Sequence, residues 1–363
     1  MKKPIALAVL LFVALPVFAQ TVRIGTAPIP PPRPLSLDAA FATCNRAGCN
    51  LEIPAGTFTF SIQISPQAIV RIEGAGASYD NVSPHCLTTV IWTGGNMTPI
   101  LLNTWKAQGS SISGFCLDSV TEIPAFIDVD NSADDVHLSD IVIDYPTKKA
   151  SYAGIRWGYE GKTNTPFCKN VFVRAAAPIG FFVGNVEAHF MGENCRGVWN
   201  DEIEWQIGDQ EHLVQSFHCL FCTAAARFGK TPIVIRYVDD FSWSEGYFEG
   251  FQVVEIPADA ILAQQITLTN NFVNGGGEYR VVSFVHSALS TATITLIGNR
   301  VESGFLIDDE ALTRATIIGN TTGGSAPGFE MPSGIVAKYG IHVCSFGNTA
   351  APAPMKPLAG VCN

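Results

Sequence analysis

The chain has 363 residues, 47% of them hydrophobic and only 15% charged, with a formal net charge of −10. That apolar content excludes a disordered chain, and the lack of long Ala/Leu/Glu/Lys-rich segments excludes a helical array. The acidic balance, with no basic run longer than Lys148-Lys149, speaks against nucleic acid as a partner.

Residues 1–19, "MKKPIALAVLLFVALPVFA", join two lysines to a short apolar core and a small-residue exit at Ala19, the pattern of a secretory signal peptide. No later segment is apolar enough to span a bilayer, so a secreted or periplasmic protein with no membrane span is expected. Residues 20–35 contain the proline cluster "PIPPPRP" and read as an extended linker. Ser36 then offers an N-cap to Leu37, Ala40 and Phe41 at helical spacing, which predicts a short helix. "IPAGTFTFSIQI" follows, with a Pro-Ala-Gly turn and an alternating strand over 57–64. "IVRIEGAG" supplies a second strand closing on glycines.

This succession of short helix, "IPAGTFTF" and "IEGAG" resembles the entry of the parallel β-helices of the pectate lyase-like superfamily. The resemblance implies an all-β fold, a right-handed parallel β-helix solenoid whose first coil is capped by the helix. It leaves the chemistry open, because the superfamily holds lyases, glycoside hydrolases, epimerases, tailspikes and noncatalytic adhesins. The polygalacturonase motifs Asn-Thr-Asp, His-Gly and Arg-Ile-Lys are absent, as is the Trp-Ile-Asp-His of pectate lyases, so no catalytic residue is carried over.

Further along, one phrase recurs: "AHFMGENCRG" from Ala188, "QSFHCLFCTAA" from Gln215, "FSWSEGYFEGF" from Phe241, "ITLTNNFVNGG" from Ile266, "ITLIGNRVESG" from Ile294 and "ATIIGNTTGG" from Ala315. A repeat of roughly 20 to 50 residues marks a solenoid whose units must stack to share one core. Alternating β-branched and aromatic residues make those units strands. Asn194, Asn271, Asn299 and Asn320 fall at one offset and predict a stacked ladder. Phe190, Phe217, Trp243, Leu268, Leu296 and Ile317 fall at another and predict an interior apolar column. The pattern predicts a β-helix over residues 36–324, with an irregular cap over 325–363.

Ten cysteines in an exported chain predict disulfides. Cys44 pairs with Cys49 and Cys344 with Cys362 on this reading, while the pairing of the other six stays open. The single CxxC at Cys219 is weak as a zinc or redox motif, and no metal site is assigned.

Chemistry on a solenoid sits on projecting loops. The segment "RGVWNDEIEWQIGDQEHL", over 196–213, reads as such a loop, with Asp201 and Glu204 between Trp199 and Trp205 and His212 at its end. Carboxylates beside aromatic rings suit a glycan, whose C–H faces stack on the rings. One coil later, "RYVDDFSW" places Arg236 and Tyr237 before Asp239 and Asp240, in the column expected above Glu187. Carboxylates one coil apart repel and split into an acid and a base. Asp239, Asp240, Asp201 and Glu204 are therefore the candidate catalytic residues, and Trp199, Trp205, Arg236, Tyr237 and His212 the candidate substrate contacts. Together with Asp134-Asp135 and Asp308-Asp309-Glu310, which also precede strands, the Asp239-Asp240 pair offers oxygen ligands for Ca²⁺, the one cofactor left open, although EF-hand spacing is missing. Two functions compete: a polysaccharide hydrolase or lyase, and a noncatalytic extracellular glycan-binding or structural module.

Overall fold

In the computed structural model the described residues are 21–23, 36–80, 83–131, 133–227, 229–250, 253–274, 282–284, 292–301, 305–306, 312–322, 329–330, 342–346 and 349–350. The signal peptide, most of the proline-rich segment, Asp308-Asp309-Glu310 and the side chains of Cys344 and Cys362 lie outside them.

Each coil contributes to three parallel faces. The first face includes Phe190–Glu193, Val214–Leu220, Tyr237–Ser244, Leu262–Thr269 and Ala292–Ile297. A single bend leads to the second face, with Phe172–Arg174, Arg196–Val198, Thr223–Ala225, Tyr247–Glu249 and Phe272–Asn274. The third face is a separate eight-stranded sheet that includes Ile179–Val183, Ile203–Ile207 and Thr231–Ile235. The chain is thus a parallel β-helix.

The bend explains how two faces share one sheet. Asp140, Asn170, Asn194, Phe221, Glu245, Asn270, Gly298 and Gly319 all have φ between 52° and 63°. This left-handed conformation costs an ordinary L-residue roughly 1–2 kcal/mol, less for Asn and Asp, and glycine adopts it freely. From Asn194 upward the cost is offset by register, because each bend N–H donates to a carbonyl of the next coil: Asn194 to Leu220, Phe221 to Ser244, Glu245 to Thr269, Asn270 to Ile297.

The residue after the bend points inward. Here Asn271, Asn299 and Asn320 stack, each at most 2% exposed. The Asn299 Nδ2 donates to Leu268 O and Asn320 Oδ1, both at 2.8 Å, while its Oδ1 accepts from Asn271 N at 2.9 Å. Asn194 does not belong to this ladder: it is the bend residue itself, and its Nδ2 donates to Asn170 Oδ1 on the outside at 2.9 Å. Cys195 takes the inward position in that coil.

A similar slip affects the apolar column. Phe190 pairs with Phe217, which pairs with Phe241, while Trp243 heads a second column through Leu268 and Leu296. Both columns face inward, because a two-residue shift preserves the side of a strand. The Phe190, Phe217 and Phe241 rings stack at 4.9 and 5.2 Å.

The helix Leu37–Ala47 buries Leu37, Ala40, Phe41 and Cys44, with Ser36 as N-cap. Phe41 meets Phe60 edge-on at 5.2 Å, and Cys44–Cys49 is disulfide-bonded. Cys86–Cys116, Cys168–Cys195 and Cys219–Cys222 are also bonded, so the CxxC is a closed disulfide. Parallel pairing extends past both expected boundaries: Thr21–Arg23 pairs with Asn50–Glu52, and His342–Phe346 with 314–318. None of the described helices is long and apolar enough to cross a membrane.

Replacing Asn299 by Ala strands the Asn271 N–H and the Leu268 carbonyl, at about 1–3 kcal/mol each. Denaturant unfolding should therefore show a loss of about 2–6 kcal/mol, and an unchanged midpoint would refute the ladder's role.

Candidate glycan groove

On the second face, three-residue strands leave their first and third side chains outside and the middle one in the core. The first outward column runs Phe172, Arg196, Thr223, Tyr247, Phe272 and Arg300. The second runs Arg174, Val198, Ala225, Glu249 and Asn274. Thr223 and Ala225 are the small members, flanked along the axis by larger ones, and that difference in size hollows the surface. The result is a groove of about 680 Å³ whose lining includes Tyr79, Phe172, Arg174, Arg196, Trp199, Tyr247 and Glu249.

Its polar groups are held in place. Arg174 donates through Nε and Nη2 to both oxygens of Asp144, at 2.6 and 2.8 Å, and through Nη1 to the Tyr79 hydroxyl at 2.8 Å. Burial works to lower its pKa, but the Asp144 carboxylate outweighs burial and raises it. Arg196 donates to Asn194 Oδ1 at 2.9 Å, and burial lowers its pKa. Tyr247 donates to Glu249 Oε2 at 3.0 Å and accepts from Asn274 Nδ2 at 3.1 Å. Trp199 stands in a left-handed turn at φ 54°, 40% exposed, with its backbone N–H on Ala225 O. A flat ring, a hydroxyl–carboxylate pair and two guanidinium groups around a small floor can stack a sugar and bind its hydroxyls.

Of the sequence candidates, Trp199 lies in this groove. Asp201 follows it at the corner between the second and third faces, paired with Lys149 at 2.6 Å. Glu204 and Trp205 correct the sequence reading, because the segment over 196–213 is mostly the remainder of a coil rather than a projecting loop. Ile203–Ile207 is a strand of the third face, and both side chains are fully buried. Trp205 stacks on Phe181 at 4.1 Å in the core, out of reach of any sugar. Glu204 accepts from Asn200 N at 3.0 Å and Asn200 Nδ2 at 2.6 Å. Burial pushes its carboxyl up to about 8 against those hydrogen bonds.

Asp239 and Asp240 lie elsewhere, on the first face. The partner beneath Asp240 is Ser216 rather than a carboxylate, and Glu187 is ion-paired with Lys162. The stacked acid–base pair expected from the sequence is therefore not formed. Asp240 instead sits 3.6 Å from His218 Nε2, which is 2.6 Å from Ser216 Oγ. Arg236 is bound to Asp259, and His212 Nδ1 to Asp209 at 2.8 Å. Tyr237 begins the same first-face strand, half-buried. The four catalytic candidates thus divide between the first face, which carries Asp239 and Asp240, and the passage from the second face into the third, which carries Asp201 and Glu204, and they do not converge. Among the described residues no cluster of His, Cys, Asp or Glu is arranged to hold a metal ion.

Sequence reasoning missed Arg174, Tyr247 and Glu249, although counting two and four residues past each bend finds them. Tyr79 gives no such signal, since it reaches the groove from a distant hairpin.

Among solved structures, the chain resembles catalytic domains of GH87 α-1,3-glucanases. One substituted form in complex with tetrasaccharides matches with TM-score 0.55 and 11% identity, over 92% of this chain and 70% of that one. A second tetrasaccharide complex gives 0.50 and 12%, over 92% and 70%, and a nigerose complex 0.50 and 12%, over 91% and 68%. At such identity the likeness is one of fold. No family model matches the chain, and no curated protein sequence does.

The raised Glu204 carboxyl gives a pH prediction. The folded state holds a proton that the unfolded chain releases above its ordinary value of 4.5, so stability from this group is full below 4.5 and is lost as pH rises to about 8. Asp128, buried 2.6 Å from Arg156, acts in the same direction, since burial raises it to about 7 despite the arginine. Melting temperature should fall across that range, and Glu204→Gln should reduce the fall. An identical pH profile in the variant would refute the assignment.

Proposed function

We propose that this chain is an exported, carbohydrate-active β-helix protein of the pectate lyase-like superfamily that binds a polysaccharide along its second face. Hydrolysis or elimination is the chemistry of that groove on this reading. The observation that carries the reading is the concavity between Trp199 and Tyr247, floored by Thr223 and Ala225 and edged by fixed polar groups. The disulfides support export, since such bonds persist in oxidising compartments.

One observation favours a noncatalytic glycan-binding module. Hydrolysis needs two carboxyl groups about 5–9.5 Å apart, whereas Glu249 is the one carboxylate among the described residues that line the groove. An enzyme would draw its second from Asp201, beyond Trp199.

A panel of α- and β-linked glucans and uronate polymers separates these readings, with α-1,3-glucan placed first because of the fold neighbours. New reducing ends would identify a hydrolase, absorbance at 235 nm a lyase, and binding without either a noncatalytic module. Absence of binding to every member would overturn the proposal. Trp199→Ala and Tyr247→Ala should each weaken binding about 5- to 30-fold, the equivalent of about 1–2 kcal/mol. Unaltered affinity in both would remove the groove from consideration.

A further inference from the structure

We propose that the groove is blocked at the end nearer the N-terminus, so that it receives a polysaccharide by a chain terminus rather than across its interior. This rests on the glycan-groove reading. The block is the antiparallel hairpin Ala77–Tyr79 and Pro84–Cys86, which leaves the solenoid between two rungs and lies on the outside of the second face.

The first outward column shows where the hairpin stops. Cys116, Val142 and Phe172 occupy three successive rungs of that column and are at most 7% exposed, because Ala77 and Tyr79 cover them. From the next rung upward, Arg196, Thr223, Tyr247 and Phe272 are all partly open. An otherwise continuous track therefore ends at one ring. Tyr79 stacks on Phe172 at 3.7 Å with 10° between the planes. Its hydroxyl takes a hydrogen bond from Arg174, itself clamped by Asp144 and lying over Tyr145 at 4.7 Å.

The hairpin is tied to the solenoid at its base and braced within itself near its tip. Cys86 is disulfide-bonded to Cys116 beneath it, and near the tip Asp80 binds His85 Nε2 at 2.7 Å and Ser83 N at 3.0 Å. Rungs are about 4.8 Å apart, so the distance from Phe172 to Tyr247 is about 14 Å. A sugar chain entering from the open side, along Phe272 and Tyr247, covers that distance and meets the stacked pair of Tyr79 and Phe172. Another hollow, of about 250 Å³, opens towards Asn170 and Asn194. Its lining shares Tyr79, Phe172 and Arg196 with that of the groove, so these three side chains stand where the two hollows meet.

The test uses the full chain and tetrasaccharides of α-1,3, β-1,3, α-1,4 and β-1,4 linkage. Each is unmodified or carries a bulky fluorophore at one terminus or the other. For whichever linkage binds, a label at one terminus should weaken binding about tenfold or more, and a label at the other should leave it unchanged. Tyr79→Ala should restore binding of the excluded form. The double variant Cys86→Ser with Cys116→Ser, which frees the hairpin by a different route, should do the same. Equal binding of both labelled forms to the native chain, or persistent exclusion in both variants, overturns the blocked end while leaving the groove intact. Failure of all four unmodified sugars, together with the uronate polymers of the panel above, to bind overturns the groove itself.

Discussion

The constraint on which the whole molecule depends is that no single coil can bury its own apolar side chains. Each coil must therefore lie on the next in a fixed register, and the left-handed bend sets that register. Where it recurs, side chains on either side of it fall into vertical columns, inward ones becoming core and outward ones becoming surface tracks. Phe221 and Glu245 accept an unfavourable conformation there because their N–H groups complete the bonding between rungs. The core asparagines have a related task. The amides of Asn271 and Asn299 each bridge to the coil above and to a backbone carbonyl of the coil below, so the turn stays satisfied although it is sealed from water.

The groove follows from the same geometry. A column of outward side chains is featureless when its members are equal in size, and becomes a hollow when small residues interrupt large ones. Here Thr223 and Ala225 interrupt a run of arginines and aromatic rings. The rigidity is inherited from the scaffold: Trp199 is fixed by a backbone hydrogen bond to the neighbouring rung, and Tyr247 by Glu249 and Asn274. Such preorganisation lowers the ordering cost of binding.

The fold was legible because the repeat is written in residues with a backbone task. Glycine and asparagine after a short strand announce the bend, and alternation announces the inward side. The same phrase, "HVCSFGNTA", stands at 342–350 beyond the expected end of the solenoid, where a longer interval hid it. Errors of offset arose where another residue does the usual one's work, as Cys195 does in the asparagine position and Phe221 at the bend. The site was less legible for a physical reason. Acidic and aromatic residues between recognised repeats looked like a loop, yet Glu204 and Trp205 belong to the third strand of the coil, which the repeat phrase does not mark. Trp199 stands at a turn and is visible in the sequence, while Tyr79 reaches the groove only through packing across nearly a hundred residues of chain.

Each coil places one residue in each outward column of the second face, so the length of the track is counted in coils. Duplication of one coil above Tyr247 would extend it by about 4.8 Å without disturbing the hairpin or its disulfide. The span of the track is therefore adjustable in whole turns, while the hairpin keeps its place at the same rung.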